Sequence, residues 1–295
     1  MVAAAQAGSL PQTCEAGTEP DAARQAQALR VAAAVRQELA RHDASAALVA
    51  RAGLDLSLLG QRYSHAGLSL REHPGGPWTV RQLYFACDEG RPRIFDQGLA
   101  GFLAGNEGDS GPQLVVVLPG PEASAALAQA ARDDALARRL LGASYSANAH
   151  AFSVRHQNCN QWVAELIAAA WGGVEPGGEA RAQAQAWLRL RGFEPTVFSL
   201  AWPPLRPLAP FVRWLREDDH PQEDLQAWRY RVVMPQSLEK FMRQLEPRAR
   251  RLEFCLRDSR LVVREGWESM QQDCTPEPGD RVIELLAGPG DVRQL

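Results

Sequence analysis

The sequence predicts an α+β protein: an antiparallel sheet packed against a cysteine-bearing helix, with helices before and after it and a small β-rich extension at the C-terminus. Three observations predict it. Residues 62–86 alternate apolar and polar positions on either side of a turn cluster, the pattern of a β-hairpin. After Cys159, the run NQWVAELIAAAWGG sets Trp162, Val163, Leu166, Ile167 and Ala170 on one helical face and stops at Gly172–Gly173. Residues 251–267 (RLEFCLRDSRLVVREGW) read as a second hairpin turning at Asp258–Ser259.

Taken in order, residues 1–18 read as a disordered start or the remnant of a signal peptide. Ala5-Gln6-Ala7 has the small-residue pattern of a cleavage site, but no charged region or long apolar run precedes it. Residues 20–42 carry Ala22, Ala26, Leu29, Ala33 and Val35 at helical spacing after a proline suited to a first turn. AALVAR (46–51) is a short strand. In RYSHAGLSLRE (62–72), Ala66, Leu68 and Leu70 share one face and Tyr63, His65, Gly67 and Ser69 the other. The turn His73-Pro74-Gly75-Gly76-Pro77 leads to WTVRQLYFA (78–86), rich in β-branched and aromatic residues. A loop with an amphipathic patch (94–105) comes next, then a buried strand at 113–119 and an Ala/Leu-rich helix over 121–141. A polar stretch (145–158) leads into the Cys159 helix, and another helix covers 179–191. The proline-rich 202–210 is an irregular surface excursion that could line a groove. A strand at 228–235 and a helix at 237–246 complete a main domain over 19–246, and 247–295 form the β-rich extension.

The chain has 295 residues, enough for a substantial core. Its 32 basic and 35 acidic residues give a net charge of −3, without the basic excess that phosphate neutralisation needs, so nucleic acid is not expected as a partner. The longest apolar runs fall far below the roughly 20 residues that span a bilayer. The five cysteines form no CxxC pair, so a structural zinc site is not signalled. In an exported protein, Cys14, Cys87, Cys255 and Cys274 could form two disulfides, with three pairings open.

Cys159 falls at a helix N-terminus after Asn158, a good N-cap type. Unsatisfied backbone N–H groups and the helix dipole there favour a thiolate, lower the thiol pKa and can stabilise an oxyanion. The competing reading is an inert buried cysteine. His65 is the best base, set beside Gly67, where a missing side chain would let the cysteine helix approach. If Glu72 faces Pro77, Gln82 lies opposite Gly67 and diagonal to His65, where its amide would orient the imidazole. An edge-strand Gln82 facing water is the alternative. His150 or His156 could instead be the base. The His156-to-Cys159 spacing hints at a metal, but nothing completes a ligand set, so no metal or other cofactor is expected. His42, His73 and His220 fall where solvated surface roles are the default.

SHAGLSLR (64–71) and NCNQWVAELI (158–167) resemble the circularly permuted papain-like cysteine hydrolases of the NlpC type. In those proteins a strand histidine, a polar residue on the next strand and a cysteine at a helix N-terminus act as base, orienter and nucleophile. The resemblance maps these roles to His65, Gln82 and Cys159. RYSHAG, GPWTV, the DQGL segment (96–99) and QNCNQWV together look like the bacterial domain of unknown function 2145, over roughly Cys14 to Glu246. The third residue is often histidine in related folds; Gln82 can orient a ring but cannot share its charge. The resemblance implies a periplasmic or secreted hydrolase that forms an acyl-thioester on cell-envelope peptide amides, or on lipid amides or esters. A thiol acyltransferase, or a non-catalytic envelope binding protein on the same scaffold, are the alternatives.

Overall fold

The computed structural model describes residues 7–8, 22–53, 55–104, 112–175, 178–199 and 215–285. A mixed α+β architecture is built on one nine-stranded sheet, every pairing of which is antiparallel. Its strands are β1 (Ala7–Gly8), β2 (Ala46–Arg51), β3 (His65–Leu70), β4 (Thr79–Ala86), β5 (Arg91–Gln97), β6 (Gln113–Leu118), β9 (Arg250–Arg257), β10 (Arg260–Glu265) and β11 (Arg281–Glu284). The order across the sheet is β1-β4-β3-β2-β6-β9-β10-β11, and β5 also pairs with β4. A separate two-stranded ribbon joins β7 (Thr196–Ser199) to β8 (Arg229–Val232).

Helices cover both faces of the large sheet. On one face, α1 (Ala22–Ala40) and α2 (Leu99–Ala104) pack over Ala47, Val49, Val80, Leu114 and Val116. On the other lie α3 (Pro121–Arg132), α4 (Asp134–Arg139), α5 (Cys159–Gly172), α6 (Ala180–Leu190) and α8 (Pro235–Leu245). A short α7 (Gln222–Gln226) precedes β8. Because both faces are covered, β2, β3, β4 and β6 are buried along their whole length.

Several elements depart from the sequence reading for local reasons. The single helix expected over 121–141 is two, because the Asp133 side chain turns back to accept from the N–H groups of Ala135 and Leu136 and caps α4. The amphipathic patch at 94–105 divides between the end of β5 and α2. The C-terminal extension is β-rich as expected, but it is built into the sheet: β9 pairs with β6 along the whole of Gln113–Leu118. Its hairpin turns at Asp258–Ser259, both at positive φ (49° and 64°), the backbone of a tight two-residue turn. Within the stretch expected to be disordered or a signal remnant, β1 pairs with Phe85 and Ala86. Cys14, the rest of residues 1–18 and the proline-rich 202–210 lie outside the described residues. Cys255 and Cys274 are joined in a disulfide, and Cys87 is also disulfide-bonded.

Candidate active site

The β3–β4 hairpin holds the first half of the site. Its register pairs Leu68 with Arg81, Ser69 with Val80 and Leu70 with Thr79. That alignment sets Gln82 across from Gly67, diagonal to His65, as the turn length predicts. A Cβ on residue 67 would lie 2.7 Å from Val80 Cγ1, 3.0 Å from the Arg81 carbonyl oxygen and 3.1 Å from Gln82 Cβ. Glycine is needed here because the neighbouring strand closes in; the approach expected of the cysteine helix is made by β4.

His65 Nε2 and Gln82 Oε1 are 2.7 Å apart, and both residues are buried. With Oε1 accepting, Nε2 carries the hydrogen and Nδ1 keeps its lone pair. Among the described residues, neither His65 Nδ1 nor Gln82 Nε2 has a hydrogen-bond partner. The imidazole stacks on Tyr84 at 4.8 Å and lies 5.8 Å from the Phe102 ring. Burial, followed by the nearby charge of Arg51, lowers its pKa to about 3 against the weaker opposing pull of Gln82, so the ring is neutral.

Cys159 opens α5, a helix capped by Asn158, whose side chain accepts from Gln161 N at 2.7 Å. The loop before it is held by a buried network. Arg181 Nε pairs with Glu165 at 2.8 Å, and its guanidinium also donates to the carbonyls of Ser153, Val154 and His156. Gln157 bridges Glu165 to the Leu140 carbonyl and to Gly142 N. The helix N-terminus meets the start of β3: Asn160 Nδ2 donates to the Ser64 carbonyl at 3.2 Å. The backbone amides of Asn160, Cys159 and Ala66 favour a negative charge on the sulfur, and Tyr145 interacts with it.

Two expectations about this cysteine are corrected. The thiol pKa is not lowered: Cys159 is 5% exposed, and burial pushes it up to about 11, outweighing the backbone N–H groups and Arg51. Nor does α5 lie on the face of His65. Cys159 packs with Ala66, Leu68 and Leu70, whereas His65 points to the side of Phe102. The two side chains leave opposite faces of the sheet at the end where β3 and α5 begin, each being the first residue of its element. No hydrogen bond joins the imidazole to the thiol in this resting arrangement.

The remaining histidines are engaged elsewhere. His156 bonds Ser144 Oγ at 2.9 Å and Asp218 at 2.8 Å, and His150 Nδ1 accepts from Phe152 N. His220, expected at a solvated surface, is buried and bonds the Asn148 carbonyl at 2.9 Å. His73 Nδ1 accepts from Gly75 N, and His42 contacts Arg250. Gln82 is fully buried on an inner strand, which removes the solvent-facing alternative. Among the described residues, no group of three or more His, Cys, Asp or Glu side chains is arranged to hold a metal, and no helix is long and apolar enough to cross a membrane.

Sequence reasoning missed Arg51, Tyr84 and Tyr145. Arg51 faces His65 across the β2–β3 pair; only the strand pairing, which no motif announces, brings it there. No curated protein and no solved structure matches the chain. A family model does match, over residues 38–242, the span that holds the β3–β4 hairpin and the Cys159 helix: the chain belongs to the DUF2145 family, described as an uncharacterized protein conserved in bacteria.

Proposed function

We propose that the protein is a cysteine hydrolase of the permuted papain-like, NlpC kind, with Cys159 as nucleophile, His65 as base and Gln82 as orienter. One observation carries the reading: Gln82 fixes His65 through Nε2 at 2.7 Å and leaves Nδ1 a buried lone pair with no partner among the described residues, at the end of β3 that meets the N-terminus of the cysteine helix. A buried polar atom left without a partner is costly, and functional sites are where that cost is tolerated. The chain order His65, Gln82, Cys159 and the antiparallel sheet behind them support the same reading.

The resting thiol and imidazole are both neutral, so attack and proton transfer belong to one step. The Cys159 S–H bond breaks, its proton goes to His65 Nδ1, and the sulfur bonds to the substrate carbonyl carbon. Collapse expels the amine or alcohol, which takes the proton from Nδ1 and leaves an acyl-thioester. Water, or another acyl acceptor in a transferase, releases the acyl group. The expected substrates are amide bonds of cell-envelope peptides, with lipid amides or esters second. The Cys255–Cys274 disulfide favours an exported location. Burial of the thiol favours a second reading, a non-catalytic envelope binding protein.

Incubating the protein with a small activated ester and mapping the adduct by peptide mass spectrometry separates the two. The hydrolase reading expects an acyl mass on the Cys159 peptide, lost in Cys159→Ala and formed about 10²–10⁴-fold more slowly in His65→Ala. A wild-type protein that never acylates, together with a stability loss in Cys159→Ala, gives the binding reading instead.

A further inference from the structure

Arg51 is the last residue of β2 and pairs directly with His65 in the sheet, so the two side chains leave on the same face. It is 2% exposed. Its Nη2 lies 3.5 Å from the Tyr84 hydroxyl, and its guanidinium carbon stands 5.5 Å from the centre of the Phe102 ring. Tyr84 and Phe102 are the same two rings that flank His65. The guanidinium has a reserved space: a Cβ on Gly53 would come within 2.9 Å of Arg51 Nη1 and 2.9 Å of Ser64 Oγ. The Arg51 carbonyl accepts from Ser64 N at 3.1 Å, and the Ser64 carbonyl accepts from Asn160 on the cysteine helix. A permanent cation is therefore built into the point where β2, β3 and the N-terminus of α5 converge.

A strand-borne guanidinium beside a histidine and a cysteine has opposite effects on the two. It disfavours a second positive charge on the imidazole and favours a negative charge on the sulfur. We propose that Arg51 is a positioning residue of this site, the counter-ion of the Cys159 thiolate, and that His65 passes the thiol proton onward instead of holding it as an imidazolium. The inference rests on the Cys159–His65 chemistry proposed above. When the S–H bond breaks, the electron pair stays on sulfur opposite the guanidinium, and the proton leaves through His65 Nδ1 to solvent or to the departing group. The positive charge of Arg51 acts downward on both groups, below burial in order of size in each case. The groups that act on the sulfur are the Asn160 and Ala66 backbone amides, Tyr145 on the preceding loop and the charge of Arg51 on β2.

The test is the pH dependence of Cys159 ionisation in the folded protein. It is read by the rate of alkylation of the Cys159 peptide and by thiolate ultraviolet absorbance relative to Cys159→Ala, which needs no reagent access. Arg51→Met is expected to move the ionisation step upward by about one pH unit or more; Arg51→Lys is expected to keep it near the wild-type position, and His65→Gln to move it little. If Arg51→Met does not fold, Arg51→Gln takes its place. A thiolate–imidazolium pair gives the opposite result at the histidine, with His65→Gln moving the step clearly up, and that overturns the inference. So does a step indifferent to Arg51, or a thiol that stays protonated up to alkaline unfolding. Acyl transfer with a step indifferent to Arg51 leaves the hydrolase reading standing and removes Arg51. A step set by Arg51 in a protein that never acylates does the reverse.

Discussion

A buried neutral histidine makes the protein sensitive to acid in a way that can be assigned to one residue. In the unfolded chain His65 titrates near the usual value of about 6.5, whereas in the folded protein burial and the Arg51 charge hold it to about 3. Between those values the unfolded chain takes up a proton that the folded one refuses. The stabilisation is therefore complete above about pH 6.5 and is lost as the pH falls toward 3. By pH 5 the loss reaches about 2 kcal/mol. Urea unfolding at a series of pH values should show it as a slope that flattens in His65→Gln. His150, whose pKa burial also lowers, adds a slope of the same sign, so the difference between wild type and His65→Gln is the quantity to read. Equal slopes would mean that His65 is protonated in the folded protein, and the base role proposed for it, with a free lone pair at Nδ1, would fall.

At the scale of elements, the hairpin is the part of the site the structure can least afford to move. Gly67→Ala must push β4 away through Val80 Cγ1 and the Arg81 carbonyl, 2.7 and 3.0 Å from the new methyl. The expected cost is about 1–3 kcal/mol, read from the urea midpoint, and under the proposed hydrolase chemistry acylation of Cys159 falls further than stability because Gln82 moves with β4. An unchanged midpoint would show that the strand gap is soft. This hairpin was also the most legible element in the sequence. A turn of fixed length and a period of two set the register, and with it the diagonal of His65 and Gln82. The start of α5 was legible for a similar reason, because Asn158 advertises its cap. What could not be read is the effect of layers. Alternation told which residues share a face of β3, but not that α5 covers the aliphatic face and α1 and α2 the other. The cysteine was therefore expected on the wrong side, and its thiol was expected to be acidic where burial makes it the reverse. Arg51 escaped notice because its contact with the site crosses two strands that no local pattern links.

For the molecule as a whole, the order of strands decides what can fold alone. The family match ends at residue 242, before β9. Yet β9 lies inside the sheet, between β6 and β10, and caps the apolar edge of Leu114–Leu118. It also carries the centre of a buried ionic network. Arg251 pairs with Glu239 of α8 at 2.6 Å and with Glu253 at 2.9 Å, while Glu253 accepts from the Tyr63 hydroxyl at 2.6 Å and pairs with Arg62 at 3.1 Å. Tyr63 and Arg62 stand just before His65, so β9 braces the approach to the site. The Cys255–Cys274 disulfide fastens the segment after β10 back onto β9. Removing residues 247–295 would bare an interior strand edge, a template for aggregation. It would also leave Glu239 and Tyr63 buried without their partners, a loss of about 3–5 kcal/mol for the broken ion pair alone. That is a large share of the 5–15 kcal/mol by which domains are typically stable. A chain ending at Glu246 is therefore expected to be aggregated or molten, with no cooperative thermal transition and no fixed near-ultraviolet circular dichroism. A monomeric, cooperatively melting product that still acylates Cys159 would show that the C-terminal strands are an accessory to the site and not part of its foundation.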